Sequence, residues 1–162
     1  MRPNRHGSAV VEYPNDLDVV TIREFDAPVE LVFEVLTKPE HVSKWFAPFE
    51  DRVTKCEIDL RVGGMYHIVF VTPDGTECSF RGTYVEVEPP TRTVATWLFE
   101  GWPEAEAVDT TELYENDGVT TLRTTLSFRD VTGRARMTRH DGQASSFDKL
   151  EDYLRSVMDG EP

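Results

Sequence analysis

Apolar and polar residues alternate along most of the chain, and this alternation predicts β-strands. In the segment DVVTIREF, Val20, Ile22 and then Phe25 occupy apolar positions, as in a strand with one buried face. Six further strands are predicted between residues 55 and 128, because turn residues separate short apolar-rich segments there. These turn signals are Gly63-Gly64, the PDG of residues 73–75, Pro89-Pro90 and Asn116-Asp117-Gly118. Short turns join antiparallel neighbours, so the sequence predicts an antiparallel sheet.

Two short helices are predicted between the first strand and the others. Apolar residues recur at helical spacing in residues 29–36, which predicts the first helix. A second helix is predicted in the segment PEHVSKWF, because Pro39 and Pro48 bracket it. This helix would present Trp45 and Phe46 together, either as plugs of the core or as a wall of a ligand site.

The C-terminal segment carries the longest apolar stripe. Phe147, Leu150, Leu154 and Val157 recur at helical spacing in DGQASSFDKLEDYLRSVMDG, the pattern of an amphipathic helix. This helix would be roughly 25 Å long, enough to cross and cover a sheet. The sequence therefore predicts an α+β helix-grip fold. A curved antiparallel sheet of about seven strands would wrap around one long C-terminal helix, with two short helices after the first strand.

The chain length of 162 residues suits one domain with one core. Residues 18–160 are predicted to form this domain. Residues 1–17 contain Pro, Asn and Gly, and we predict a flexible N-terminal arm there. Within the arm, the segment SAVVEY is able to add an edge strand to the sheet.

The chain is acidic, which restricts the partners it can have. Lys and Arg total 17 against 30 Asp and Glu, a net charge of -13 that would repel a nucleic-acid backbone. We interpret the cluster of Arg134, Arg136 and Arg139 as a solvated helix start or loop. No apolar run approaches the roughly 18 residues of a membrane span, and no apolar h-region follows the N-terminus. We therefore expect a cytoplasmic protein that binds neither nucleic acid nor membranes, with Cys56 and Cys78 reduced.

Candidate catalytic and metal-binding residues are few. The four histidines, at positions 6, 41, 67 and 140, are scattered and none pairs with another at ligand spacing, so no metal and no cofactor is expected. Glu112 and Tyr114 could act as acid and base if their strand face were buried, but a solvated face is the favoured interpretation. Asp59 and Arg61 share a strand face, and we interpret them as a surface pair.

Side-chain alternation assigns an inward face to two neighbouring strands. Gly82 lies between inward positions of the second strand, where the missing side chain permits a bend or a close approach. The residues predicted to face inward are Tyr66, Ile68, Phe70, Phe80 and Tyr84.

Several segments, in this order, resemble one known family. They are DAPVELVFEVLTKPEHVSKWFAP, DLRVGGMY, PDGTECSFRGTYVEVEPP, TWLFEGWP and DGQASSFDKLEDYL. From about Val20 to Leu154 the chain resembles the activator of heat-shock-protein-90 ATPase homologues (C-terminal-domain-like) of the SRPBCC superfamily, which has the START-like or birch-pollen-allergen-like fold. The resemblance implies an internal cavity between sheet and helix, with the short second helix at its mouth. Thr138 and Arg139 depart from the small residue and Met that related bacterial sequences often have at the cavity entrance.

With this resemblance, the sequence predicts a domain that binds a small apolar, aromatic or lipid-like molecule in an internal cavity. The predicted cavity residues are Trp45, Phe46, Tyr66, Ile68, Phe70, Phe80, Tyr84, Phe147, Leu150 and Leu154. An acid or base pointing into the cavity would favour a polyketide-cyclase-type enzyme instead. A filled cavity with an exposed apolar patch would favour a protein-interaction module, such as a co-chaperone or stress partner. The sequence leaves a homodimer and a chaperone contact open.

Overall fold

A computed structural model describes residues 4–47, 50–137 and 142–160 of the protein. Within these residues, one antiparallel sheet contains the eight strands β1 (Val10–Glu12), β2 (Asp18–Phe25), β3 (Arg52–Ile58), β4 (Met65–Val71), β5 (Glu77–Glu88), β6 (Arg92–Phe99), β7 (Ala107–Asn116) and β8 (Val119–Phe128). The helices of the same ranges are α1 (Val29–Thr37), α2 (Pro39–Trp45), α3 (Val131–Met137) and α4 (Gly142–Met158).

The strands follow the order β1-β2-β8-β7-β6-β5-β4-β3, and each pair of neighbours is antiparallel. This curved open sheet with α4 packed on it confirms the α+β helix-grip fold. The sheet has one strand more than the seven expected, because part of the N-terminal arm forms the edge strand β1. Its residues Val10 and Glu12 pair with Ile22 and Val20 of β2. The domain boundary at residue 18 stays a prediction.

The turn between β7 and β8 shows why this hairpin forms where the sequence predicts it. Asn116 pairs with Val119, so the connection contains two residues, Asp117 and Gly118. Both have positive φ angles, 51° and 82°. Asp and Gly tolerate this conformation, and it gives a turn whose twist matches the flanking strands.

The middle of the sheet bends at a glycine. A Cβ atom on Gly82 would lie 1.8 Å from the carbonyl oxygen of Thr96 and 2.6 Å from Cε2 of Tyr66, so no larger residue fits there without a shift. A register shift between β5 and β6 follows at Tyr84 and Glu86. The glycine lets β5 curve tightly, as the helix-grip arrangement requires.

The apolar stripe of α4 packs onto the sheet, as predicted. Leu150 and Leu154 are 0% and 2% exposed and belong to a core cluster with Phe25 of β2 and Leu122 of β8, whereas Val157 is only half-buried. Because this cluster joins strands that are far apart in sequence, the last helix is a structural part of the core.

An ionic cluster accompanies this apolar contact. The Arg23 side chain, on β2, is 0% exposed, and its Nη2 atom lies 2.6 Å from Glu151 Oε1 and 3.1 Å from Asp148 Oδ1 of α4. Glu151 also accepts hydrogen bonds from the backbone N–H of Arg5 at 3.0 Å and lies 3.2 Å from Arg155 Nη2. The sheet, the last helix and the N-terminal arm are therefore joined at one buried carboxylate.

The arginine cluster of the sequence is only partly described. Arg134, in α3, donates a hydrogen bond to the carbonyl oxygen of Asn15 at 2.5 Å and lies over the ring of Tyr13. It therefore binds the N-terminal arm. The side chain of Arg136 is not among the described ones, and Pro48, Thr138, Arg139 and His140 lie outside the described residues, so the predictions that involve them stay predictions.

Candidate ligand-binding cavity

A cavity of about 870 Å³ lies between the inner face of the sheet and helices α1, α2 and α4. This volume is in the range of sites for small molecules and cofactors, roughly 300–1,000 Å³. Val11 and Tyr13 line the cavity and are 37% and 53% exposed, so it reaches the protein surface beside β1.

The structure brings most of the predicted cavity residues together. Those that line the cavity are Trp45, Phe46, Tyr66, Ile68, Phe70, Phe80, Tyr84 and Phe147. Leu150 and Leu154 are not among the lining residues: of the described side chains of α4, Ser146 and Phe147 face the cavity, and the following turns pack into the core. A role of any of these residues in ligand binding stays a prediction.

One wall of the cavity is a cluster of aromatic rings centred on Phe80. The Phe80 ring stacks on Phe70 and Phe99, with centroids 5.8 and 5.0 Å apart, and lies 5.6 Å from the rings of Phe46 and Trp97. Such contacts stabilise ring pairs by roughly 0.5–1.5 kcal/mol beyond area burial. The wall is therefore a packed surface on which an apolar molecule can lie.

Trp45 and Phe46 belong to this wall and also connect the helices. Trp45 is 6% exposed, and its Nε1–H donates a hydrogen bond to the carbonyl oxygen of Val35 in α1 at 2.9 Å. The carbonyl oxygen of Phe46 accepts a hydrogen bond from the Ser146 hydroxyl at 2.7 Å, which joins α2 to α4. The two aromatic residues are thus both core contacts and cavity lining.

A row of polar side chains crosses the inner face of the sheet within the cavity. Four threonines, one on each of four adjacent strands, are aligned by the strand register and line the cavity: Thr93, Thr111, Thr124 and Thr21. Asp109 lies two residues before Thr111 on the same face of β7. It pairs with Ala95 of β6, which in turn pairs with Tyr84 of β5. Ala95, which has a small side chain, also lines the cavity between Tyr84 and Asp109.

Asp109 has an unusual environment for a carboxylic acid. Its Oδ1 atom is buried and has no hydrogen-bond partner, and Thr124 Oγ1 on the next strand is also buried and unpaired. Burial raises the pKa of Asp109 from 3.8 to about 7, against the opposing effect of a hydrogen bond with Thr111. Part of the residue remains accessible from the cavity. The cavity therefore contains an acid that can change its charge near neutral pH.

Two tyrosines extend this polar part of the cavity. Tyr66 donates its hydroxyl hydrogen to the carbonyl oxygen of Thr96 at 3.1 Å. Burial and then the negative charge of Asp109 raise the pKa of both Tyr66 and Tyr84. Both phenols therefore stay protonated and can donate hydrogen bonds over the physiological pH range.

The acid and base candidates of the sequence lie on the other face of β7. Tyr114 is 57% exposed, and its hydroxyl lies 3.3 Å from Glu112 Oε2. Glu112 is also 3.0 Å from Arg92 Nη1. The inward acid, Asp109, was missed by sequence reasoning. The alternation of β7 contains its signal, because Asp109 shares a face with the fully buried Leu113.

The remaining candidates lie in ordinary surroundings. Asp59 and Arg61 are both exposed and form the expected surface pair at 2.8 Å, but they do not share a strand face, because β3 ends at Ile58 and both lie in the turn before β4. Both cysteines are free, and burial raises the pKa of Cys56 to about 11, which disfavours a reactive thiolate. In the described part of the chain, no group of three His, Cys, Asp or Glu side chains is placed to hold a metal ion. No helix in those ranges is long and apolar enough to cross a membrane.

An antiparallel sheet wrapped around a long helix, with a ligand-sized cavity between them, defines a helix-grip domain. The chain belongs to the family of activator of Hsp90 ATPase homolog 1-like proteins, whose model matches residues 26–155. Among curated proteins, none gives a significant match to this chain.

Solved structures are similar over almost the whole domain. A protein of Nitrosomonas europaea is 27% identical, with a TM-score of 0.79, covering 91% of this chain and 99% of its own. A protein of Rhodobacter sphaeroides is 20% identical, with a TM-score of 0.82, covering 94% and 99%. The AHSA1 protein of Silicibacter pomeroyi is 23% identical, with a TM-score of 0.73, covering 86% and 99%. The last two, below 25% identity, show the fold alone.

Proposed function

We propose that the protein binds a small, largely apolar molecule, aromatic or lipid-like, in the cavity between the sheet and α4. The observation that carries this proposal is the cavity itself, about 870 Å³ of space whose lining combines packed aromatic rings with a row of threonines. Empty volume of this size costs stability unless a ligand or water uses it. A protein that only needed a stable core would gain by filling it.

The same observation argues against a module that acts only through its surface. Filled interior space would favour such an interaction module, and here the space is open. Trp45, Phe46 and Phe80 form a preformed wall, so a ligand would bind without first ordering it. A homodimer, a chaperone contact and a cytoplasmic location stay predictions, to be tested by light scattering, co-purification and cell fractionation.

A screen of neutral aromatic and lipid-like compounds tests this proposal. N-phenyl-1-naphthylamine and related dyes should raise the Tm by mass action and change the tryptophan emission. The variant Trp45→Phe separates the emission of Trp45 from that of Trp97 and Trp102, which also line the cavity. The variant Ala95→Leu, which projects a larger side chain into the cavity, should weaken binding. No Tm shift with any compound, together with a crystal structure whose side chains fill the cavity, would exclude the proposal.

A second candidate function is acid–base catalysis on the bound molecule, of the polyketide-cyclase type. The observation that favours it is Asp109, an acid inside the cavity whose pKa is raised to about 7 by burial. A general base works best when its pKa lies near the working pH. Its partners would be the hydroxyl groups of Tyr84 and the neighbouring threonines, which also line the cavity.

The compound 5-nitrobenzisoxazole tests whether Asp109 can act as a base. When a base removes the proton on C3, the C–H electron pair forms a nitrile, the N–O bond breaks, and the ring opens to a coloured phenolate. The rate should rise with pH through about 7, the pKa of Asp109, and Asp109→Asn should abolish it. A rate equal to that of the variant at every pH, with binding of the compound shown by calorimetry, would contradict the catalytic candidate and leave the binding proposal intact.

A further inference from the structure

We infer that the cavity selects a ligand with an aromatic body and one basic nitrogen, whose positive charge pairs with the carboxylate of Asp109. This inference rests on the proposed binding function and specifies the class of ligand. The aromatic body of the ligand keeps the apolar character proposed above, and Asp109 adds one position that binds a positive charge.

The charge balance of the described lining favours a ligand cation. Asp109 is its only carboxylic acid, and the one strong base in the same lining, Arg92, is already occupied. Arg92 Nε lies 3.0 Å from Glu86 Oε2 and its Nη1 lies 3.0 Å from Glu112 Oε2. An ionised Asp109 therefore lacks a counter-charge within the described lining. A ligand cation would supply it, whereas a ligand carboxylate would add a second negative charge to the same space.

The position of the aromatic rings also favours a cation near Asp109. Tyr84 lies in the same row as Asp109, with only Ala95 between them. Trp97 lies two residues from Ala95, on the same face of β6, and also lines the cavity. An aromatic ring attracts a cation to its face, Trp most strongly, and the attraction is larger where water is excluded. The rings of Tyr84 and Trp97 and the carboxylate of Asp109 therefore all favour a positively charged ligand group.

Hydrogen bonding favours an ammonium group over a neutral hydroxyl at this position. An ammonium group has three donors and no acceptor, so it can satisfy a carboxylate and a hydroxyl oxygen at once. Thr111 and Thr124 place such hydroxyls beside Asp109 on the same face of the sheet. A neutral hydroxyl has one donor and gives no charge compensation. The chain's net charge of -13 further raises the local concentration of cations over anions.

Three naphthalene compounds of nearly equal shape separate these ligand classes: 2-naphthylmethylamine, 2-naphthalenemethanol and 2-naphthoic acid. Calorimetry at pH 8 should give about tenfold to hundredfold tighter binding of the amine than of the alcohol, and the weakest binding for the acid. In Asp109→Asn this preference should be lost while the alcohol still binds. Glu57→Gln removes the same charge at a side chain that is 69% exposed on β3, and it should leave the preference unchanged.

The wild-type protein gives an independent measurement that needs no variant. The titratable groups that line the cavity with Asp109 are Tyr13 beside β1, Tyr66 on β4, Cys78 and Tyr84 on β5, and Arg92 on β6. Those whose pKa is shifted, Tyr66, Cys78, Tyr84 and Arg92, are all shifted upward, away from neutral pH. The ratio of amine to alcohol affinity should therefore rise from pH 6 to pH 8, as Asp109 ionises.

Each outcome decides between the two proposals. Equal affinity for amine and alcohol at both pH values, or an amine preference that survives in Asp109→Asn, would overturn the inference and leave the binding function standing. Failure of all three compounds to bind, while a neutral dye or lipid-like compound still raises the Tm, would overturn the inference alone. Failure of every compound, with side chains filling the cavity in a crystal structure, would overturn both. Should the variant not fold, as judged by circular dichroism, the pH dependence of the wild-type ratio decides alone.

Discussion

The buried ion pair of Arg23 and Glu151 offers a test of what holds α4 in place. The Arg23 side chain is 0% exposed and that of Glu151 is 6% exposed, and their atoms Nη2 and Oε1 lie 2.6 Å apart. Arg23 Nη1 also donates a hydrogen bond to the carbonyl oxygen of Glu24, and its guanidinium lies 4.9 Å from the centre of the Phe25 ring. The perturbation is Arg23→Met, which keeps an unbranched chain of similar volume and removes the charge.

The expected loss follows from what the substitution leaves behind. Glu151 would stay buried with Arg155 and the backbone N–H of Arg5, and Asp148 would lose its partner at 3.1 Å. Breaking a buried pair by removing one partner typically destabilises by about 3–5 kcal/mol. Replacing both partners by apolar residues is much less costly. The double variant Arg23→Met/Glu151→Leu should therefore be about 1–3 kcal/mol more stable than the sum of the two single losses predicts.

Urea denaturation of the four proteins measures this difference. The matched control is Arg81→Met, because Arg81 Nε forms a pair with Glu100 at 3.2 Å but the two side chains are 53% and 42% exposed. The control should lose less than about 1 kcal/mol. Losses in the Arg23 and Glu151 variants that add within about 0.5 kcal/mol, or a loss from Arg23→Met no larger than that of the control, would refute the reasoning.

Three further predictions concern the core, the acid and the expected lack of metal and nucleic-acid binding. Leu150→Ala and Leu154→Ala should each lower the free energy of unfolding by about 2–5 kcal/mol. The control Met158→Ala, at a site that is 49% exposed, should lower it by less than about 0.5 kcal/mol. Losses below about 0.5 kcal/mol at both leucines would rule out the packing of α4 on the sheet. Burial raises the pKa of Asp109 from its ordinary 3.8 to about 7, so the stability that its protonated form contributes is lost as the pH rises through 7. Between pH 4 and pH 8 the stability of Asp109→Asn should therefore rise relative to wild type, by at most about 4 kcal/mol. A difference in free energy of unfolding between the two proteins that does not change with pH would contradict this. Elemental analysis of chelator-free protein should find no stoichiometric zinc, and filter binding near physiological salt should find no DNA retained.

The elements that follow from local chemistry were predictable from the sequence. Asp117-Gly118 can form the tight turn that their positive φ angles require, and the alternation around Phe80 assigns the inward face of β5 correctly. In both cases the information lies within a few residues, because a turn type and a strand period are local properties. The same holds for the apolar stripe of α4, of which Leu150 and Leu154 are buried.

The features that depend on distant partners were not predictable in this way. Arg23 lies 128 residues before Glu151, and as a charged residue in an alternating strand it is expected to face solvent. Asp109 follows the same logic. The alternation of β7 places it on the face of Leu113, but Val108 and Tyr114 lie on the other face, so the pattern does not decide which face is buried. Both are charged residue types on buried positions, where a local pattern gives the wrong burial. Functional and strained sites are where such local rules are expected to fail.

These two exceptions lie in different surroundings: Arg23 pairs with Glu151 of α4, whereas Asp109 faces the cavity. The first turns of α4 contribute Phe147 and the hydroxyl of Ser146 to the cavity, and the following turns contribute Leu150 and Glu151 to the core and the ionic cluster. Leu150, Leu154 and Glu151 thus fasten the later turns of α4 to the sheet through contacts that do not involve the cavity lining. The cavity can then keep open space and an unpaired acid, each unfavourable for folding, without loosening the helix that covers it. In this division the buried Arg23 stabilises the fold, and Asp109 remains available for the proposed pairing with a ligand.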